Sequence, residues 1–203
     1  VDAYRVYAGA FLKDAGNVLF VLEQIRIRTG LTLQILSNSE RRFIGYQSVA
    51  AREEFDAMTK EGAAVVDVGG GTTGISILKD GKVIYTDDEA TGGSHMTMTV
   101  AGHYKIPYED AEVLKTDPEK EDEIFPVIKA TIEKMATITE RFLQGYEVPA
   151  VYVVGGSASF KEFTTVFEKK LKLPVYRPVH PLLVTPLGIA YYCELPPVTP
   201  KKK

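Results

Sequence analysis

At 203 residues the chain is long enough for one large domain or two small ones around a real core. A formal charge of −3 argues against a nucleic-acid or polyanion surface, and no apolar run approaches the ~18 residues of a membrane span. The single cysteine, Cys193, excludes an internal disulfide and fits a reducing cytoplasm, and no charged-then-apolar leader at Val1 supports secretion.

Taken in order, Ala3–Ala8 alternates as a short strand. Asn17 is placed to cap a helix to about Arg28, with Leu19, Leu22 and Ile25 on one face. Thr29-Gly30 stops it, and Leu31–Leu36 reads as a strand. Ser37 or Ser39 then opens a second helix, about Glu40 to Met58, with Glu40 in the first turn, where a carboxylate complements the helix dipole.

The next stretch, AAVVDVGGGTT from Ala63 to Thr73, is the most informative. A β-branched run carrying one carboxylate breaks into glycine, the pattern of a buried strand entering a tight turn. Ile75, Ile77 and Leu78 supply the returning strand. A buried carboxylate is costly unless paired or bound to a metal. Glycines let backbone N–H groups approach an anion, and Thr72 and Thr73 add hydroxyls. These parts suit a phosphate with its Mg²⁺ held by Asp67, directly or through water. The competing reading is a glycine-rich hairpin whose Asp67 is simply solvated.

Val83–Thr86 gives a third strand after the Asp80-Gly81 hairpin turn. Thr91-Gly92-Gly93 opens a helix from Ser94 to about His103, and a shorter one starts near Tyr108. Asp117–Asp122 reads as a solvated loop, and a long helix runs from about Glu123 to Gln144, with Pro126 in its first turn. Ile124, Val127, Ile128, Ile132, Met135, Ile138 and Phe142 keep helical spacing and mark a core stripe. Val151–Val154 is another buried strand, ending in Gly155-Gly156. Ser157 or Ser159 then starts a helix to about Leu171, Val175-Tyr176 is a short strand, and Thr185-Pro186 opens a closing helix.

Other constellations carry less. His95 and His103 lie about 80° apart around a helix and share no metal face. Ser157 lacks a nucleophile elbow and a base. Met96, Met98 and Met135 read as core, and Tyr104, Tyr108 and Tyr146 as scattered exposed aromatics.

The element order and the glycine turns at Gly69–Gly71 and Gly155-Gly156 resemble the actin-like ATPase superfamily, in which two ribonuclease H-like lobes close on a nucleotide. About Gly62 to Ala190 resembles the ethanolamine-utilisation EutJ family, relatives of DnaK-type chaperones, through VVDVGGGTTGISILKDGKV, DEATGGSHMTMTVAG, FPVIKATIEKMA and VVGGS. The first 61 residues instead resemble part of the exopolyphosphatase and guanosine-pentaphosphate phosphohydrolase (Ppx/GppA) family, through VDAYRVYA and IRIRTGLTLQILSNSERRFIGYQSVA. The fold so implied is α/β: a partial first lobe (1–61), a complete second lobe (62–195) and a flexible tail (196–203).

Carried over by residue, the resemblance implies that Asp67 lies near Mg²⁺ and that Gly69, Gly70, Gly71, Thr72 and Thr73 cradle phosphate. Glu40 falls where a water-activating acid is placed, Gly92 and Gly93 border the cleft, and Gly155, Gly156 and Ser157 face ribose and base. ATP or ADP with Mg²⁺ is the implied cofactor. The implied role is a cytoplasmic, ATP-binding, chaperone-like accessory protein. Its partners would be protein clients or microcompartment enzymes, with self-association, and with neither nucleic acid nor membrane. A phosphohydrolase and a non-catalytic nucleotide-sensing module are the alternatives. The superfamily's opening Asp-x-Gly-[Ser/Thr] hairpin has no match in Val1–Gly62, where Asp2-Ala3-Tyr4 lacks the glycine. Losing one charge-stabilising donor costs ~10²–10³ in rate where measured, so slow turnover at best is expected.

Overall fold

Ala63–Val68 is buried along its whole length, which a strand achieves only in the middle of a covered sheet. The computed structural model describes residues 6–8, 12, 15–36, 61–80, 82–184, 186 and 187. In chain order its regular elements are β1 (Val6–Ala8), α1 (Val18–Thr29), β2 (Leu33–Ile35), β3 (Ala63–Val68), β4 (Thr73–Lys79) and β5 (Lys82–Glu89). There follow α2 (Gly93–Tyr104), α3 (Tyr108–Thr116), α4 (Glu121–Phe142), β6 (Val151–Val154), α5 (Phe163–Leu171) and β7 (Val175–Tyr176).

A five-stranded sheet runs in the order β5-β4-β3-β6-β7. β3 pairs antiparallel with β4 and parallel with β6, so Asp67 stands opposite Gly74 on one side and Val154 on the other. The period of two divides β3 between two faces. Ala64, Val66 and Val68 join Ile128 and Ile132 of α4 and Phe163 and Phe167 of α5 in the main core. Ala63 and Val65 pack with Leu78, Val154 and Val184 on the opposite face, the one to which Asp67 belongs by alternation.

The apolar stripe of α4 is buried as its spacing requires, and Glu121, Asp122 and Glu123 occupy its first turn, where they complement the helix dipole. The start differs from expectation. Asp117–Asp122 is not a loop: the Asp117 carboxylate accepts the Glu119 N–H at 2.9 Å, Pro118 heads a 3₁₀ turn, and that turn runs straight into α4. Pro126 therefore lies inside the helix, on its exposed side, where the lost bond is cheapest. Nor does one helix follow β6. A 3₁₀ turn, Gly156–Ser159, is closed off by Arg177, which donates to the carbonyls of Ala158, Ser159 and Phe160 at 2.9, 3.0 and 2.6 Å. Met98 is exposed because two helical steps put it about 200° from buried Met96. Tyr146 is half-buried, stacked on Tyr85 at 4.9 Å, and Tyr104 is half-buried with its hydroxyl donating to Glu123.

The leading segment forms a separate parallel pair, β1 with β2, bridged by α1. Gly30 ends α1 in the left-handed region with its N–H on the Arg26 carbonyl at 2.9 Å. The expected stripe on α1 is not buried: no residue of the helix is, and Leu19 is 80% exposed. Two three-residue strands offer too little surface to cover it. Asn17 stands at the cap position, but its side chain makes no capping bond. The second expected helix, Glu40 included, lies outside the described residues.

Truncating a stripe residue should leave a cavity under the sheet. Ile132→Ala is expected to cost ~2–5 kcal/mol, and Met98→Ala no more than ~0.5 kcal/mol, read as midpoint shifts in chemical denaturation.

Candidate functional site

β3 and β6 are parallel neighbours, so their carboxyl ends open on the same side of the sheet, the end at which α/β sheets bind ligands. Both break into glycine there. Gly155 has φ 94°, and its N–H donates to the Pro181 carbonyl at 3.0 Å. A Cβ on it would lie 2.4 Å from the Val68 carbonyl oxygen and 2.8 Å from Asp67 Oδ1. Only glycine lets the second turn press against the first, and the buried Asp67 carboxylate sits at that seam.

The hairpin tip is braced from behind. Gly69 N–H bonds the Thr72 carbonyl at 3.0 Å. The first amides of α2 then dock on the tip: Gly93 N–H donates to the Gly69 carbonyl at 2.9 Å and Ser94 N–H to the Gly70 carbonyl at 2.7 Å. Ser94 Oγ adds a bond to the same Gly70 oxygen at 2.8 Å. Gly92 is buried beneath the tip, where a Cβ would meet Gly69 O and Thr72 N at 2.6 Å. Its N–H is taken by His95 Nδ1 at 3.2 Å, which gives His95 a capping task. Thr73 is also buried, with Oγ1 donating to the Thr91 carbonyl at 2.7 Å. Among the described residues the amides of Gly70 and Gly71 have no acceptor.

A cleft of about 720 Å³ opens on this seam. Of the residues singled out from the sequence, Asp67, Gly69, Gly70, Gly93, Gly155, Gly156 and Ser157 line it together. Gly71 and Thr72 stand outside its lining, and Gly92 and Thr73 act as packing and ties behind it. The sequence reading missed the opposite wall, α3, which contributes Glu112, Lys115 and the exposed Tyr108. The Lys115 side chain is only 10% exposed, and its Nζ donates to Glu112 Oε2 at 2.7 Å and to Thr97 Oγ1 at 2.8 Å. Thr97, fully buried on α2, also bonds Glu112 Oε2. An acid and a lysine three apart were visible as a helical pair; which side of the helix met the cleft was not. Burial pushes the Glu112 carboxyl up, but the bonds from Lys115 and Thr97 outweigh it and hold the group below the usual carboxylate range.

The donor set fits Mg²⁺ in one way. No group of three metal-binding side chains exists among the described residues, so those side chains alone build no cage there. A single buried carboxylate beside a glycine turn, as Asp67 is here, suits Mg²⁺ only where a ligand's phosphate oxygens and water would complete its shell.

A family model described as cell division protein FtsA matches residues 64–188, more than half of the chain. The chain belongs to the FtsA family. Its fold is the actin-like ATPase fold that the motifs implied. This FtsA-family chain is similar to the ethanolamine utilization protein EutJ of Salmonella typhimurium strain LT2, 44% identical over 136 residues, which are 66% of this chain and 48% of that protein. The crystal structure of EutJ from Carboxydothermus hydrogenoformans matches with a TM-score of 0.70 at 40% identity, covering 83% of this chain and 59% of that one. MreB5 of Spiroplasma citri, solved bound to AMPPNP, shares the fold with a TM-score of 0.68 at 15% identity, over 92% of this chain and 66% of that one. The chain spans about half the length of the curated relatives it matches. No helix among the described residues is long and apolar enough to cross a membrane.

Two outcomes check the site's construction. Gly155→Ala should destabilise the fold by ~1–3 kcal/mol in a thermal melt, because its Cβ overlaps the β3 carbonyl. For Glu112 the folded pKa is lowered. Its contribution to stability should therefore be complete above the ordinary carboxylate value of about 4.3 and fade as the pH falls below it. Glu112→Gln should flatten that part of the stability–pH curve.

Proposed function

We propose that this chain binds a nucleoside triphosphate or diphosphate with Mg²⁺, and that it serves as an ATP-binding, chaperone-like accessory protein of ethanolamine utilisation, as its likeness to EutJ suggests. The observation that carries the reading is the seam at which two glycine turns on parallel strands meet around buried Asp67 and open into one cleft. The Gly70 amide, on the cleft lining, would supply an anion donor, with the Gly71 amide next to it at the rim, and Asp67 would hold the metal that accompanies the phosphates. Charge on the phosphate tail would be neutralised there by the bound Mg²⁺. The ligand in the MreB5 structure, AMPPNP, is of the same class.

The far end of the cleft favours a nucleotide over a bare polyphosphate. Its lining offers the carboxylates of Glu112, Asp117 and Glu121 against the ammonium of Lys115. A ligand must be anionic at the glycine seam and neutral, with hydroxyl donors, beyond it. A nucleotide has that polarity. A polyphosphate does not, so the phosphohydrolase reading ranks second. Binding is the activity these residues support. Glu40, the acid placed to activate water by resemblance, lies outside the described residues. Protein clients, microcompartment enzymes and further copies of the chain are the partners that accompany an EutJ-like role.

Calorimetry with Mg-ATP, Mg-ADP and polyphosphate tests this. Both nucleotides should bind, and Asp67→Ala, checked by melting to be folded, should weaken them at least about tenfold, as for a lost charged contact. Polyphosphate cleavage that disappears in Glu40→Gln would install the phosphohydrolase reading instead.

A further inference from the structure

Glu112, on the wall of the cleft, is gripped on a single oxygen by two donors, and the grip comes from behind the wall. The count of protons shows how tight it is. Lys115 has three: one goes to Glu112 Oε2 at 2.7 Å, one to Thr97 Oγ1 at 2.8 Å, and the third faces the Gly93 carbonyl at 3.4 Å. Thr97 has one hydroxyl proton and two candidate acceptors, Glu112 Oε2 and the Gly93 carbonyl at 3.1 Å. Because its oxygen already accepts from Lys115 and the carboxylate is charged, the proton goes to Glu112. Both donors thus converge on Oε2. Among the described residues Oε1 receives no hydrogen bond, and the Glu112 side chain is 44% exposed on the cleft wall.

We infer that Thr97 is a positioning residue for the ligand: with Lys115 it locks Glu112 by Oε2, so that Oε1 is presented to a hydroxyl of the bound molecule. This rests on the nucleotide reading above and refines it. A glutamate has three rotatable bonds, and a free one loses that freedom on binding. Here the folded protein has already fixed it. Thr97 is suited to the task because a β-branched side chain on a helix has few rotamers and this one is fully buried. It touches the ligand nowhere and acts only through Glu112.

The test compares Mg-ATP with Mg-2′,3′-dideoxy-ATP, which lacks both sugar hydroxyls, on the whole chain by calorimetry. The wild type should prefer ATP by about tenfold, the size of one bond to a charged group. Thr97→Val should lose most of that preference, by weakening ATP while leaving the dideoxy ligand within about twofold, and Thr97→Ser should restore it. A melt of each variant guards against loss of the fold. Equal weakening of both ligands by Thr97→Val would make Thr97 merely structural and overturn the inference. A wild type that binds both ligands equally would also overturn it, yet leave nucleotide binding standing. A wild type that binds neither would instead remove the nucleotide reading, and this refinement with it.

Discussion

The structure depends on the parallel pairing of β3 with β6. Strands that run side by side in the same direction must end on the same edge of the sheet, and each of these ends in glycine. Were β6 antiparallel to β3, its Gly155-Gly156 corner would open at the opposite end, a strand length away. As built, the two corners are in van der Waals contact and Asp67 is caught between them. The rest of the lobe serves this juxtaposition. The connection through α2, α3 and α4 is long enough to return the chain for a parallel strand, and the apolar stripe of α4 anchors it to the sheet.

The polar groups divide into two systems that meet at Gly93. In front, the amides of Gly93 and Ser94 hold the hairpin tip by its carbonyls. Behind, the Gly93 carbonyl faces Thr97 and Lys115, which belong to the Glu112 cluster. One peptide group of α2 therefore borders both the seam and the opposite wall. A ligand long enough to reach from one to the other would touch two regions whose relative position is set by the first turn of a single helix.

Much of this was legible in the sequence, for identifiable reasons. A β-branched run broken by glycine announces a strand and its turn locally, so β3, β4 and β6 and the ends that carry Asp67 and Gly155 could be read directly. The stripe of α4 was legible because seven apolar residues in register have no other physical explanation. What failed was anything decided by a neighbour far along the chain. Thr73 looks like a phosphate ligand in the sequence, and only the Thr91 carbonyl across the turn claims its hydroxyl. Gly92 was expected to border the cleft, and its place beneath the hairpin tip is set by the distant turn it packs under. Glu112 and Lys115 were an ordinary helical ion pair until the fold put α3 across from the glycine corners. Leu19 on α1 satisfied a periodicity rule, but the rule does not supply the surface to cover it.

The docking of α2 on the hairpin has an electrostatic corollary. A helix N-terminus ordinarily offers its unsatisfied amides straight to an anion, whereas here the leading pair is already occupied by the carbonyls of Gly69 and Gly70. Those carbonyls share their peptide planes with the N–H groups of Gly70 and Gly71. A carbonyl that accepts a bond draws electron density from its own amide and makes that N–H the stronger donor. The positive end of α2 is thereby relayed one peptide outward, and an anion on the loop would meet the helix field through polarised intermediaries instead of at first hand.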